Sequence, residues 1–385
     1  MDFRVYHYGA RGVFDGTRPV YGETSGLGWP MHYRYPPLFL LLFAPFAWMP
    51  LSVGAAVWVV LKLGVIGAAI VSDPLPPSAA LPLCKGETCP PCKGGQPRSG
   101  RGSLTTILLR ASPYVFEDFR YGNVQFFIFA LTAAALITVR TRPVLSAASL
   151  ALAISIKVWP LFFVPYLAVK REWKVIAWSI GFTVVLTLLP SLYFGFNENI
   201  SLLQQWVSQE FQTQLGESEI WFPNQSLRGV LMRYLTVIDY SQVPDSDYPA
   251  VNFASMDPSI IRAAWTIIAA GIYASFLAFV QRRKNDIWVE LGIGFCLLTL
   301  LEPFTQKYAL VVLLVPAIAA SRIPPTRPVR ALIYASIALI WIQPLAGGAA
   351  ATRLLQVLGM DFFATALLTI ALAVASFQKN TVFRP

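Results

Sequence analysis

Several side chains in this 385-residue chain are of types that handle anions and sugars, and each stands where an apolar run begins or ends. Lys157 lies between the run SLALAISI and Val158-Trp159-Pro160, at the junction of two short helices. An ammonium beside the amino end of a half-helix is suited to a phosphate. Snorkelling to the interface is the alternative, and the anion reading is preferred because the outer side carries no other basic cluster of this kind. Trp221 to Arg228, followed by Arg233, sets Asn224 and Gln225 among aromatics and guanidinium groups, the equipment of sugar and phosphate recognition. Asn199 and Asn224 also head N-glycosylation patterns, which arise easily by chance. Glu302 and Lys307 flank a proline at the end of two apolar helices, where a surface pair would contribute little. Asn123 and Gln125 precede an apolar run, with Glu117, Asp118 and Arg120 before them, and helix capping is the commoner work for such residues. The first 36 residues bring Asp2, two histidines, Arg34, Tyr35 and other tyrosines to a membrane entrance at Pro36-Pro37, a mixture that a tether does not need. Helix capping at the membrane face is the lesser alternative for Asp2.

The elements that position these groups are read from hydropathy. The chain is 56% hydrophobic and 13% charged, with a mean hydropathy of +0.56, too apolar for an ordinary soluble protein. Apolar windows near 37–50, 53–71, 124–139, 143–156, 158–169, 175–194, 260–280, 287–301, 306–320, 330–346 and 361–377 give about eleven spans. Several are short and interrupted by Pro45, Pro160 and Pro165, which points to broken helices lining a cavity. The expectation is an all-α polytopic transmembrane bundle forming one integral membrane domain over residues 1–385.

The net charge of +10 could suggest nucleic acid, but Lys and Arg cluster in short loops between apolar runs, as cytoplasmic loops do. Arg140/Arg142, Lys170/Arg171/Lys174, Arg282/Arg283/Lys284, Arg322/Arg327/Arg330 and Lys379/Arg384 alternate onto one side. The external loops are then 1–36, about 72–123 and 195–259, with shorter ones around 302–307 and 347–360. An odd number of spans leaves the N-terminus outside with no leader to carry it across, so one preceding helix is expected to be missing. Residues 73–104 read as a Pro/Gly/Cys-rich insertion on the outer side. Its Cys84, Cys89 and Cys92 lack a fourth ligand in sequence, which favours a disulfide-capable loop over a zinc site, and no structural metal is expected.

Taken in order, these pieces resemble glycosyltransferase family 87, membrane mannosyltransferases of the glycosyltransferase C architecture that use polyprenyl phosphate mannose. Asp2, Tyr6, Gly16, Tyr21 and Tyr35-Pro36-Pro37-Leu38 resemble the family's first external loop, whose acidic residue is the proposed base. Tyr121-Gly122-Asn123-Val124-Gln125 is similar to its G-Q-[VI]-N helix start with the amides rearranged. Ile156-Lys157-Val158-Trp159-Pro160 resembles its I-K-x-x-P junction, Asn224-Gln225-Ser226-Leu227 with Arg233 its N-Q-S-L plus arginine, and Glu302 to Tyr308 its S-P-x-[ST]-[WQ]-x-H segment. The chain departs from the pattern in lacking the histidine near Tyr308, and the helix that usually precedes the acidic loop is expected to be missing.

The resemblance implies an inverting transfer of a hexose, mannose in the family, from a polyprenyl phosphate carrier to an acceptor hydroxyl of a glycan or glycolipid. This would occur at the outer face of a bacterial plasma membrane. It implies Asp2 as base, Lys157, Arg228 and Arg233 at the donor phosphate, and Arg34, Tyr35, Asn123, Gln125, Asn224, Gln225, Glu302 and Lys307 as substrate-binding residues. A phosphate diester leaves as a stable anion and needs no general acid, so one carboxylate suffices. No nucleotide-sugar motif or acidic metal pair is evident, so neither cofactor nor divalent cation is expected; membrane lipids are partners and nucleic acid is not. A lipid-linked sugar transporter or flippase is the competing class, although the chain shows no internal repeat. A structural assembly protein would explain the spans alone. Convergence of the outer polar residues on one cavity separates an enzyme from both.

Overall fold

A computed structural model describes residues 2–22, 32–71, 104–215, 219, 221–237, 249–282, 286–323 and 326–381. The Cys84, Cys89 and Cys92 insertion lies outside the described residues. Among those described, the regular elements are all helical. The first half holds α1 (Asp2–Phe14), α2 (Pro37–Ala47), α3 (Leu51–Val71), α4 (Leu104–Tyr121), α5 (Gln125–Thr138), α6 (Pro143–Ile156), α7 (Val164–Val169) and α8 (Trp173–Leu188). The second holds α9 (Ser191–Phe194), α10 (Phe196–Leu215), α11 (Leu227–Leu235), α12 (Pro258–Arg282), α13 (Ile287–Leu301), α14 (Leu314–Arg322), α15 (Arg327–Leu345), α16 (Ala349–Val357) and α17 (Met360–Thr381). Two 3₁₀ turns, Trp159–Phe163 and Lys307–Leu313, lead into α7 and α14.

Five stretches are long and apolar enough to cross a membrane: Leu51–Ala68, Trp173–Phe194, Pro258–Arg282, Arg327–Leu345 and Met360–Gln378. The chain is therefore an integral membrane protein built as an all-α bundle. Each apolar window found in the sequence falls on helix, but the windows mark helices and do not count crossings. The 11 residues of α2 and the 14 each of α5 and α6 extend only about 16–21 Å at 1.5 Å per residue, short of a ~30 Å hydrocarbon core. Helix α13 is the hub, buried at every residue from Val289 to Leu301. It packs against α14 and α17, while α8 and α12 turn most of their apolar surface outward.

Four segments expected as loops contain helix, the 347–360 loop among them with α16. Within 1–36, α1 buries Phe3, Tyr6 and Ala10 at helical spacing and exposes Arg4 and Arg11; its apolar stripe is masked in the sequence by the polar residues between. Within 195–259 lie α10 and α11, and α4 fills the stretch after the cysteine insertion. At one end of the bundle Arg140 meets Glu172 at 3.0 Å, Lys170 meets Glu290 at 2.7 Å, and Arg322 lies over Trp288. The opposite end carries a cavity.

Candidate functional site

The turn between α4 and α5 is the site's foundation. Asp118, near the end of α4, accepts from the Phe126 amide through its carboxylate at 3.2 Å and from the Asn123 amide through its carbonyl at 3.2 Å. Its capping role, read from the sequence as the commoner one, is thus observed. Gly122 turns the chain at a φ of +67°, and a Cβ there would stand 2.8 Å from Cβ of Phe3. Only glycine satisfies both the dihedral and the approach of α1. That approach delivers Asp2, next to Phe3, to Asn123, whose Nδ2 donates to Asp2 Oδ2 at 2.5 Å. Asn123 Oδ1 in turn accepts from the Gln125 amide at 2.7 Å. The Asp2 carboxylate is buried, which pushes its pKa above the ordinary carboxylate value; the Asn123 hydrogen bond and the charge of Lys157 oppose that rise.

Gln125 extends the chain of polar contacts. Its Oε1 accepts from Lys157 Nζ at 3.4 Å and from the Trp159 indole at 3.2 Å. Lys157 sits where α6 stops: its backbone is extended (φ −153°, ψ 137°), and the 3₁₀ turn containing Pro160 begins two residues later. Proline has no N–H for a continuing α-helix, so the break expected from the sequence is present and turns the lysine into the cavity. Glu302, after the end of α13, faces the same cavity and accepts from Thr305 Oγ1 at 2.8 Å. Burial pushes its carboxyl up to about 7 against the pull of Lys157.

Asp2, Asn123, Lys157 and Glu302 line one cavity of about 690 Å³, within the usual range for a ligand pocket, whereas Gln125, expected among the substrate-binding residues, stands behind the lining and reaches it only through Lys157 and Trp159. Asp2, Tyr6, Tyr35, Asn123, Lys157, Glu302 and Tyr308 form its polar side. The Tyr6 and Tyr35 hydroxyls are 2.9 Å apart, and Tyr21 donates to the Tyr35 carbonyl at 2.7 Å. Opposite stands α10, whose Trp206, Val207, Glu210 and Phe211 complete the wall. Arg34 lines the cavity too, held by Glu210 in a two-pronged pair with both N–H···O distances at 2.9 Å. Trp206 donates to the Arg34 carbonyl at 3.2 Å and Gln209 to that of Tyr33 at 2.7 Å, so α10 is stitched to the strand-like segment before α2. The sequence reading missed Glu210 and its helix, because nothing local links Arg34 to a residue 176 positions away.

The remaining expected site residues lie behind this lining. Asn224 Oδ1 accepts from the amides of Ser226 (3.1 Å) and Thr305 (3.2 Å), while its Nδ2 donates to the Pro303 carbonyl at 3.0 Å. Gln225 donates to the carbonyls of Phe222 and Gln356. The motif is a clasp on the 302–306 loop, and through it on Glu302. Arg228 pairs with Glu219, which Arg262 also grips, and lies over Trp265. Arg233 donates to the carbonyls of Val357 and Asn224. Both guanidiniums sit outside the cavity lining, Arg228 engaged by the Glu219 carboxylate and Arg233 by two backbone carbonyls. Lys307 donates to Gln343 at 3.0 Å and is likewise absent from the lining. Asn199 and Asn224 are buried, which closes both glycosylation patterns. Among the described residues, no group of three or more His, Cys, Asp or Glu side chains stands close enough to hold a metal ion.

An all-α membrane bundle with a carboxylate, an ammonium and aromatic side chains around one cavity defines a membrane helix protein with a polar pocket among its helix ends. The chain matches the model of glycosyltransferase family 87 over residues 33–284, and it belongs to that family. The matched stretch includes Arg34, Tyr35, Asn123, Gln125, Lys157 and Asn224; Asp2, Glu302 and Lys307 fall outside it. Over 203 residues the chain is 28% identical to the polyprenol-phosphate-mannose-dependent alpha-(1-2)-phosphatidylinositol mannoside mannosyltransferase of Mycobacterium tuberculosis, covering 49% of this chain and 44% of that one. The protein of the same name from Mycolicibacterium smegmatis is 25% identical over 242 residues, covering 60% of this chain and 52% of its own length. The chain spans about half the length of the curated relatives it matches. No solved structure matches it.

Proposed function

We propose that this chain transfers a mannosyl group from polyprenyl phosphate mannose to a hydroxyl of a mannosylated phosphoinositide or related glycolipid, at the outer membrane face and with inversion. The observation that carries the reading is the run of contacts from Asp2 through Asn123 and Gln125 to Lys157, which sets a carboxylate and an ammonium on one cavity. Asp2 takes the acceptor proton as the hydroxyl oxygen bonds to the anomeric carbon. The bond from that carbon to the phosphate oxygen breaks, and its electron pair leaves with the polyprenyl phosphate. A buried carboxyl with a raised pKa is a stronger base for this step than an exposed aspartate. Lys157 meets the negative charge that grows on the departing phosphate, so the reaction needs neither a general acid nor a divalent cation. Arg228 and Arg233 act through structure: they brace α11 and the clasp, and the phosphate role falls to Lys157. The outer-face assignment is supported by the gathering of basic clusters at the end of the bundle away from the cavity.

The test is transfer from radiolabelled polyprenyl phosphate mannose to glycolipid acceptors in membranes carrying wild-type chain, Asp2→Asn or Lys157→Met. Wild type forms a product heavier by one hexose and both variants lose at least about 100-fold in kcat. Full turnover by Asp2→Asn removes the base assignment, and a wild type silent with every mannosyl donor removes the function.

A further inference from the structure

Helix α3 presents exposed apolar side chains at Val60, Leu61 and Leu63, as a lipid-facing span does, yet Lys62 between them is fully buried. A charge inside such a span is costly and calls for a partner and a purpose. Its partner is Asp118, also fully buried, in a direct ion pair. Lys62 donates a second bond, of 3.2 Å, to the Asp118 carbonyl, and its ammonium lies 5.1 Å from the centre of the Phe119 ring. That same carbonyl accepts the Asn123 amide, and the other carboxylate oxygen accepts the Phe126 amide. One ammonium therefore ties together both groups of Asp118 that shape the turn from 118 to 126. Neither residue lines the cavity.

We propose that Lys62 and Asp118 are a positioning pair for the transfer step, fixing the 118–126 turn so that the Asn123 amide meets the Asp2 carboxylate and Gln125 meets Lys157. The inference rests on Asp2 acting as the base. If the pair served stability alone, a neutral replacement packed in the same space would do as well, since buried ion pairs are often no more stabilising than apolar substitutes. The turn, however, needs Asp118 held in one place, and a reacting group misplaced by about 1 Å can lose about 100-fold in rate.

The experiment compares kcat and the KM for polyprenyl phosphate mannose in full-length chain carrying Lys62→Met/Asp118→Asn, Lys62→Gln/Asp118→Asn, Asn123→Ala, and Asn123→Ala combined with the first pair. Thermal melting of each purified variant is read alongside. The expected result is a folded Lys62→Met/Asp118→Asn protein with kcat reduced about 10- to 100-fold and KM within about twofold. The Lys62→Gln variant keeps a neutral hydrogen-bonding side chain across the turn and recovers most of the loss. In the Asn123→Ala background the Met/Asn pair costs less than about threefold more, because the link it supports is already gone. Unchanged kcat in the Met/Asn variant, losses that multiply in the combined variant, or failure of both neutral pairs to fold each overturns the proposal. Wild type without any mannosyl transfer instead refutes the proposed function, and it is distinguished because the variants are scored as ratios to wild type.

Discussion

Replacing Gly122 with alanine separates the conformational demand at the site from the steric one. The φ of +67° imposes a left-handed backbone on an L-residue, worth about 1–2 kcal/mol. The added methyl also meets Cβ of Phe3 at 2.8 Å, where carbon atoms rest at about 3.5–4.0 Å. A gap of roughly 0.7 Å or more must therefore open. Phe3 Cβ is fixed to the backbone of α1, so the helix itself moves, and Asp2 with it. Displacement on that scale predicts a kcat about 10- to 100-fold lower, with donor KM little changed. Gly16→Ala supplies the control: φ there is +65°, but nothing lies within 4 Å of the new Cβ. It bears the same backbone cost and should retain full kcat. The assay is mannosyl transfer at saturating donor and acceptor, with melting of both purified variants in detergent. Equal kcat for the two variants at matched stability refutes the argument that α1 is docked through this contact.

Because Asp2 must be ionised to accept a proton and burial raises its pKa, the transfer rate falls as pH drops through a value above that of an ordinary aspartate; Asn123→Ala removes the bond that favours the charged form and moves this limb to higher pH, as a pH–kcat profile would show. Glu302 titrates at about 7 in the folded chain against 4.5 for the free side chain. It therefore favours folding fully below pH 4.5 and loses that contribution as pH rises to about 7, so Glu302→Gln should flatten the decline in melting temperature across that window. Arg233→Ala should lower the melting temperature by removing the bonds to Val357 and Asn224 while leaving donor KM within about twofold; a large KM increase would return Arg233 to the phosphate site.

The long apolar runs of α3, α12, α15 and α17 were legible because hydropathy reports burial or lipid contact directly, and the break at Lys157 was legible because proline forbids the continuation of a helix. Asp2, Asn123, Lys157 and Glu302 were singled out as polar groups at the ends of apolar runs, and all four line the cavity. Arg228 and Arg233 were assigned to a phosphate from their type and from the family resemblance. Their actual partners, Glu219 for one and the Val357 carbonyl for the other, are set by tertiary packing that sequence spacing does not encode. Helix α1 was read as loop since its buried face is built from Phe3, Tyr6 and Ala10 among polar neighbours, a pattern weaker than that of a span. Lys62 went unremarked inside an apolar window, where a single lysine hardly changes mean hydropathy, although its depth in a span was the available signal.

The cavity's charged side and its α10 side are built on different parts of the chain and joined mainly through residues 33–35. The groups that would move a proton and hold a phosphate come from helix ends locked into the bundle, whereas Trp206, Val207 and Phe211 project from one amphipathic helix with a largely exposed outer face. Substitutions at these positions would reshape the cavity without touching Asp2, Asn123 or Lys157. Under the proposed reaction, acceptor choice and chemical competence would then rest on different parts of the chain, with α10 the segment where the acceptor could change while the proposed base and phosphate group stay in place.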